Sequence, residues 1–185
     1  ELMIKLGAVT YQKAKDNAWL ICWCSVTKLN QTIVGLRKAG WIPDEAPLLW
    51  LKPGKAGRVR NPSHNFTVDY ETAIYARKGD AHLTRQGPSS LFTHIAPRDR
   101  IHPTEKPVGL LKELYANFVT ANDVALIPFL GSGNSLLALH ELRVKGVGYD
   151  LEQNYKDKFV LRVQENIVEQ KKKKEAPANI EDIKL

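Results

Sequence analysis

The sequence predicts an α/β fold of the doubly wound type, in which a largely parallel sheet carries helices on both faces. Short apolar segments, typical of buried strands, alternate along the chain with longer segments whose apolar residues recur at helical spacing. A glycine turn, Gly131-Ser132-Gly133, stands between a strand segment and a helix segment, as it does in many doubly wound folds. The 185 residues predict one domain over residues 1–170 and a charged tail over residues 171–185.

Apolar periodicity and turn residues give the predicted elements in order. The predicted strands are short apolar runs at residues 18–24, 48–51, 72–76, 124–129 and 146–151. The predicted helices cover residues 2–15, the stretch from Ser25 to Gly40, a stretch that begins at Pro107, a stretch after Gly133, and residues 153–170. Residues 79–103 show no periodicity and are predicted to form a long loop.

Composition and charge exclude several classes of protein. The longest uncharged apolar run, residues 18–24, is far shorter than the ~20 residues that cross a bilayer, so we expect no membrane span. The chain has 43% hydrophobic and 25% charged residues, ordinary values that exclude a fibre and a wholly disordered chain. Its net charge of +7 favours polyanionic partners, although only +3 remains without the four consecutive lysines at 171–174.

The only two cysteines, Cys22 and Cys24, are separated by a single residue. This spacing is poor for a disulfide and for a four-ligand zinc site. We therefore expect buried, reduced thiols, a cytoplasmic location and no metal cofactor.

A strand, a glycine turn and an acidic residue together predict a nucleoside site. Gly131 and Gly133 let a ligand approach the main chain closely, and the helix that follows offers free N–H groups at its N-terminus. Asp150 lies about 17 positions further on, at the end of the next predicted strand, where a carboxylate can accept hydrogen bonds from both ribose hydroxyls. The alternative is a tight strand–helix turn, with Asp150 as a cap or a surface residue.

Two motifs resemble those of the amino-methylating DNA methyltransferases. They are Ile-His-Pro-Thr-Glu-Lys-Pro at residues 101–107 and Pro-Phe-Leu-Gly-Ser-Gly at residues 128–133, with a predicted helix between them. Residues 19–24, the helix to Gly40, residues 49–54 and residues 69–78 resemble the elements that follow the catalytic loop in that family. The motif order is similar to that of the permuted class, in which the catalytic segment precedes the S-adenosylmethionine (SAM) segment.

The resemblance implies a Rossmann-like methyltransferase sheet, SAM as the cofactor, and a role for each matching residue. Asp150 would hold the ribose, and the turn residues that would line SAM are Phe129, Gly131, Ser132, Gly133 and Asn134. The residues that would close the methionine end are His102, Thr104, Lys106 and Pro107. Three of them have simpler possible roles: His102 as an anchor of the loop, Thr104 as the N-cap of the next helix, and Lys106 as a solvated charge.

The sequence departs from the family pattern at two places. Ile127 stands where the family usually has an aspartate that meets the methionine ammonium. Loss of one charged hydrogen bond, ~1.5–3 kcal/mol, would weaken SAM binding roughly 10- to 100-fold. The catalytic tetrapeptide of the family, Asp/Asn/Ser-Pro-Pro-aromatic, is absent, because the chain contains no Pro-Pro.

The missing tetrapeptide affects the predicted sheet as well as the chemistry. In this family the catalytic strand lies beside the SAM strand, in the middle of the sheet. We therefore expect a sheet split into two parts with an unpaired edge on each, and an apparent lack of the N-terminal strands. We expect about 50 further residues before Glu1, or a second polypeptide or homodimer partner, to supply the catalytic strand.

Basic side chains ahead of the His-Pro-Thr-Glu-Lys-Pro motif are candidates for phosphate contacts with DNA: Lys55, Arg58, Arg60, Arg98 and Arg100. The alternative is that some are solvated loop charges. The resemblance implies transfer of a methyl group from SAM to the exocyclic amino group of a DNA base, with adenine favoured over cytosine, as in restriction–modification systems. The alternative function is a catalytically degenerate, methyltransferase-like subunit for DNA binding or assembly.

Overall fold

The computed structural model of the chain describes residues 1–54, 57 and 59–175, without the side chains of residue 166 and residues 168–175. The strands are β1 (Ala18–Cys24), β2 (Ile42–Pro43), β3 (Leu48–Leu51), β4 (Tyr70–Lys78), β5 (Leu91–Thr93), β6 (Val124–Ile127) and β7 (Lys145–Gly148). The helices are α1 (Leu2–Lys13), α2 (Leu29–Lys38, preceded by a 3-10 turn at Val26–Lys28), α3 (Val108–Tyr115), α4 (Asn134–Glu141) and α5 (Gln153–Glu175). Across the described residues, none of these helices combines the length and the apolar character that a membrane span requires.

The described strands form two separate sheets. The larger sheet has the order β1-β4-β3-β5, and β2 also pairs with β4. β4 runs antiparallel to β1, β2 and β3, whereas β3 and β5 are parallel. The smaller sheet is the parallel pair β6 and β7. The prediction of a largely parallel sheet therefore fails only at β4, which runs opposite to β1, β2, β3 and β5, because apolar periodicity does not report strand direction.

The predicted division of the sheet is confirmed. Within the described part of the chain, β1 pairs with β4 alone and β6 pairs with β7 alone, so each has one edge with no strand beside it. On β6, Val124 is 58% exposed and Leu126 is 48% exposed. Open strand edges that carry apolar side chains are places where a further strand can pair.

Side chains of β4 pack into two hydrophobic cores, because successive side chains of a strand point to opposite faces of its sheet. One core lies between the larger sheet and α3 and contains Leu48, Trp50, Ala73, Phe92, Leu110 and Leu114. The other core lies against α2 and contains Ile33, Leu36, Trp41, Ile74 and Ala76. Helices therefore cover both faces of the larger sheet, as the sequence predicted.

Helix α3 connects the two sheets. Its residues Leu110 and Leu114 are fully buried in the core of the larger sheet. It also packs on α4, where the Tyr115 hydroxyl lies 3.0 Å from the Ser135 hydroxyl. Helix α4 in turn packs against β7. The segment just before α3, residues 101–107, consequently lies where the two sheets approach each other.

Some element boundaries differ from the prediction for local reasons. β5 lies inside the predicted loop of residues 79–103, and its three residues are too few to show a strand period. β2 is only two residues long. Helix α5 continues to Glu175, beyond the predicted end at residue 170, and residues 176–185 of the predicted tail lie outside the described residues.

Candidate functional site

The glycine turn follows β6 directly and opens α4. Gly131 has φ +57° and Gly133 has φ +80°, backbone conformations that favour glycine. Gly133 is the N-cap of α4. A Cβ atom at Gly133 would overlap the Phe159 ring of α5, so a side chain there has no room. The predicted strand–turn–helix is therefore present, with glycine favoured by φ at both positions and required by packing at Gly133.

The Asp150 carboxylate lies against this turn. Asp150 follows the carboxyl end of β7, the parallel neighbour of β6. Its Oδ2 accepts a hydrogen bond of 2.7 Å from the Gly131 N–H, and its Oδ1 accepts one of 3.0 Å from the Glu152 N–H, just before α5. These bonds from the main-chain N–H groups of Glu152 and Gly131 lower the pKa of Asp150. The carboxylate is thus an ionised, exposed acceptor beside the turn, as well as a cap for the start of α5.

His102 covers the glycine turn from the other side. A Cβ atom at Gly131 would lie 3.4 Å from Cγ of the His102 ring, and that ring also packs edge-on against Tyr155 at 4.7 Å between centroids. The Nδ1 atom of His102 lies 3.2 Å from the main-chain nitrogen of Thr104, which donates to it, and 3.0 Å from the Thr104 hydroxyl. The role of His102 as an anchor of its loop therefore agrees with the structure.

The structure contradicts the simpler roles that the sequence allows for Thr104 and Lys106. Thr104 does not cap α3, because α3 begins at Val108 with Pro107 as its N-cap and no side-chain cap. Lys106 is not a solvated charge, because its side chain is only 13% exposed. Its Nζ lies 3.0 Å from Oε2 of Glu71 on β4 and 4.8 Å from the centre of the Trp23 ring.

Glu71 lies between two lysines, because Lys52 at the end of β3 also bonds its carboxylate. Burial acts to raise the pKa of Glu71, but the positive charges and hydrogen bonds of Lys106 and Lys52 outweigh burial and lower it. Glu71 was not predictable as a partner of Lys106, since 35 positions separate them and no local pattern connects them.

The remaining turn residues divide into buried and exposed groups. Ser132 and Asn134 are buried, at 6% and 4% exposure, so they support the turn from inside. Phe129 is 65% exposed and Leu151, next to Asp150, is 99% exposed. Large apolar side chains exposed beside a polar site are typical of a ligand-binding surface. Leu151 was not among the predicted site residues.

Ile127, at the position where the resemblance leads us to expect an aspartate, ends β6. Its Cδ1 atom lies 3.8 Å from the position of a Cβ atom on Gly146, together with Leu136 and Leu139 of α4. The Ile127 side chain therefore packs on the face of the small sheet that α4 covers.

A cleft of about 390 Å³ opens beside the end of β1. Its lining includes Trp23, Cys24, Tyr70, Glu71, Thr104 and Lys106. Two of the predicted cofactor residues, Thr104 and Lys106, therefore line this cleft together with the aromatic rings of Trp23 and Tyr70. The indole N–H of Trp23 is buried and has no acceptor among the described residues.

Three of the five predicted DNA-contacting residues lie among the described residues. Arg60 and Arg98 are exposed. Arg100 donates to the carbonyl oxygen of Pro97 at 2.7 Å, within the loop that precedes the His-Pro-Thr-Glu-Lys-Pro segment. Lys55 and Arg58 lie outside the described residues.

Solved structures with a similar fold include DNA methyltransferases. The structure of the M1.HpyAVI-SAM complex has a TM-score of 0.74 and 21% identity, covering 86% of this chain and 81% of its own. The cytosine-N4-specific PvuII DNA methyltransferase has a TM-score of 0.66 and 12% identity, covering 82% of this chain and 65% of its own. The fold is therefore that of the Rossmann-like DNA methyltransferases.

Curated relatives match part of the chain at higher identity. The Type II methyltransferase M.HindIII of Haemophilus influenzae (strain ATCC 51907 / DSM 11121 / KW20 / Rd) is 31% identical over 124 residues, 63% of this chain and 39% of its own length. YubD of Escherichia coli (strain K12) is 39% identical over 86 residues, 46% of this chain and 38% of its own length. The chain spans about two fifths of the length of these relatives. The N6_N4_Mtase family model, described as DNA methylase, matches residues 4–161, and the chain therefore belongs to this family of DNA amino-methyltransferases.

Proposed function

We propose that this chain holds SAM and serves the transfer of its methyl group to the exocyclic amino group of a DNA base, adenine rather than cytosine. The observation that carries the proposal is the contact between the glycine turn and Asp150, with 2.7 Å between the Gly131 nitrogen and Oδ2. A carboxylate and a glycine turn at the carboxyl ends of neighbouring parallel strands form the usual arrangement for a ribose and the group attached to it. A structural neighbour was solved as a SAM complex, which supports the same ligand.

The residues at this turn fit the chemistry of SAM. When bound, SAM supplies an activated methyl group on its sulfonium sulfur. Asp150 has acceptor capacity for the ribose hydroxyls, because each carboxylate oxygen accepts more than one hydrogen bond. Phe129 and Leu151 offer exposed apolar surface to the adenine ring. Ile127 offers no charge to the methionine ammonium, so we propose weaker SAM binding than an aspartate there would give.

The catalytic tetrapeptide is absent from the 185 residues, and we propose that it comes from outside them. Three features support this proposal: the open edge of β1, the open edge of β6, and the buried Trp23 N–H that has no acceptor within the described residues. A strand inserted between β1 and β6 would join the two sheets and place its carboxyl end between the glycine turn and the cleft. A further segment of the same protein, a second polypeptide or a homodimer partner can supply it.

The methyl acceptor is proposed to be a base turned out of the DNA duplex. The tetrapeptide would accept hydrogen bonds from the target amino group and stack its aromatic ring on the base, which orients the nitrogen lone pair toward the methyl group. Transfer would be direct, without a covalent enzyme–base intermediate. Arg60, Arg98 and Arg100 are proposed to contact phosphates, as are Lys55 and Arg58.

The test uses the native, full-length protein that contains this chain. The protein is incubated with SAM carrying a labelled methyl group and with duplex DNA of mixed sequence, and the DNA is then digested to nucleosides for mass spectrometry. Labelled N6-methyladenine is the expected product. Labelled N4-methylcytosine would overturn the preference for adenine, and SAM binding is measured in parallel by calorimetry.

A second candidate is a methyltransferase-like subunit that binds DNA or a partner without catalysis. Ile127 favours it, because an aliphatic side chain has replaced a ligand-binding charge. DNA binding without SAM binding or any methylated nucleoside, in the same full-length protein, would support this candidate and overturn the first.

A further inference from the structure

Glu105, inside the His-Pro-Thr-Glu-Lys-Pro segment, is a buried carboxylate with every oxygen bonded. Its side chain is 2% exposed. Oε2 accepts hydrogen bonds from the N–H groups of Ile101 at 2.7 Å and His102 at 3.3 Å. Oε1 accepts from Asn134 at 2.9 Å and from Arg162 at 2.6 Å. The carboxylate therefore bonds the main chain of its own segment and the side chains of two helices.

Asn134 and Arg162 close this arrangement into a ring of three side chains. Asn134 is the first residue of α4, and its Oδ1 accepts a hydrogen bond of 2.9 Å from Arg162. Its side-chain nitrogen also donates to the carbonyl oxygen of Lys106 at 2.8 Å. Arg162 comes from α5 and donates its other terminal nitrogen to the carbonyl oxygen of Asp99 at 3.3 Å. We call Glu105, Asn134 and Arg162 the buried clamp.

Breaking a buried charge pair costs more free energy than the intact pair contributes to net stability. Desolvation of two ions offsets much of their attraction, whereas loss of one partner leaves the other charge buried and uncompensated. The buried clamp therefore strongly favours one placement of residues 101–106 relative to α4 and α5.

The position of residues 101–106 is linked to the glycine turn in two ways. Glu105 bonds the N–H of His102, whose ring lies over Gly131. Asn134 directly follows Gly133, the left-handed N-cap of α4. Glu105 is therefore linked to the turn through the His102 ring that covers it, and Asn134 is linked to it through the main chain.

We propose that Glu105 is a positioning residue, which with Arg162 and Asn134 sets the conformation of the glycine turn and of the His102 ring above it. The assignment of the turn to SAM rests on the proposed function, whereas the positioning itself does not. Arg162, in a helix that follows the whole site in sequence, thereby becomes part of the site.

The test replaces the members of the pair singly and together in the full-length protein. Arg162→Met leaves a buried carboxylate without its cation, and Glu105→Gln in the same chain removes that excess charge. The matched control is Glu141→Gln, because Glu141 and Lys112 also join α3 to α4 at 2.8 Å but are about half exposed, at 48% and 47%. Selective ¹⁵N-glycine labelling reports the Gly131 and Gly133 amide resonances, and calorimetry measures the affinity for SAM.

We expect Arg162→Met to shift both glycine resonances and to weaken SAM binding about tenfold. The Glu105→Gln/Arg162→Met protein is expected to return toward the wild-type resonances and to recover part of the affinity. Glu141→Gln is expected to change neither quantity. If Arg162→Met acted only through lost packing, the additional Glu105→Gln substitution would weaken SAM binding further. Partial recovery of the affinity in the double variant therefore indicates positioning.

Unchanged glycine resonances in folded Arg162→Met and Glu105→Gln proteins would overturn the proposal. Where Arg162→Met does not fold, Glu105→Gln alone is judged on the same resonances, and failure of all three variants to fold would assign the clamp to folding and overturn positioning. Absence of SAM binding by the wild-type protein would overturn the proposed function. The glycine resonances would still decide the role of Glu105.

Discussion

The Lys106 ammonium lies 3.0 Å from Oε2 of Glu71, and this ion pair joins the segment before α3 to strand β4 of the larger sheet. The pair is shielded from water, with side-chain exposures of 13% for Lys106 and 31% for Glu71. Because Lys52 shares the same carboxylate, Glu71 holds two cations together. Removing its charge leaves two partly buried ammonium groups near each other.

Glu71→Gln is therefore expected to lower the free energy of unfolding by about 2 kcal/mol. Urea unfolding followed by circular dichroism measures the change. The matched control is Glu45→Gln, because Glu45 and Arg37 form an exposed pair, at 74% and 51% exposure, for which we expect less than about 0.5 kcal/mol. Equal losses in the two variants would contradict the prediction.

Glu71 also predicts a pH dependence of stability. Its folded-state pKa is lowered from an ordinary value near 4.5, because the two lysines outweigh burial. The unfolded chain therefore binds the proton more tightly than the folded one, and stability rises with pH across this range. The difference in unfolding free energy between wild type and Glu71→Gln should be complete above about pH 6 and should shrink as the pH falls through the lowered pKa. A difference that grows on acidification would contradict this assignment.

Asp150→Asn is expected to weaken SAM binding by roughly 10- to 100-fold, because an amide has one acceptor oxygen where the carboxylate has two charged ones. Calorimetric titration with SAM measures the effect. Glu152→Gln is the control, since Glu152 contributes only its main-chain N–H to this site. Because the pKa of Asp150 is lowered, its titration should not change SAM affinity between about pH 6 and pH 8.

Gly133→Ala is expected to cost about 3 kcal/mol of stability, because alanine meets both an unfavourable φ and the Phe159 ring. Gly87→Ala is the matched control, since Gly87 has φ +55° but nothing within 4 Å of a Cβ atom, and we expect about 1 kcal/mol there. Thermal unfolding measures the loss of stability in both variants. In a Phe159→Ala background the cost of Gly133→Ala should fall, and an undiminished cost would show that the ring is not the obstacle.

Cys22 is expected to react slowly with iodoacetamide in the folded protein. Burial raises the pKa of Cys22 to about 11, with a further contribution from Cys24, so only about one thiol in a thousand is ionised at pH 8. Mass spectrometry of native and urea-unfolded samples measures labelling against time. Labelling of native Cys22 at the unfolded rate would contradict the buried, reduced state that its strand position predicts.

Local patterns predicted the elements that carry the site. The apolar run of β1 has the predicted bounds Ala18–Cys24, and the helix after Ser25 ends before Gly40, whose φ is +98°. The glycine turn and Asp150 were predicted to belong to one nucleoside site, because both follow strands that apolar periodicity identified, and the structure brings them into contact. Features of this kind can be predicted because residues that are close in sequence determine them.

Pairings between distant residues were not predictable in the same way. Arg162 lies 57 positions from Glu105, and in the sequence it is one charge among many on a long polar helix. The reversed direction of β4 likewise has no local signal in the sequence, and β5 is too short to show a period. These features follow from long-range packing, which one sequence does not display.

The open edges of β1 and β6 also have a consequence for how the chain behaves in solution. An unpaired edge offers N–H and C=O groups to any extended peptide, including the same edge of another copy. A strand that completes the sheet and another copy of the chain therefore compete for the same main-chain N–H and C=O groups of the described edges. A peptide that completes the sheet should act as an inhibitor of aggregation, and the oligomer content of the chain should fall as that peptide is added.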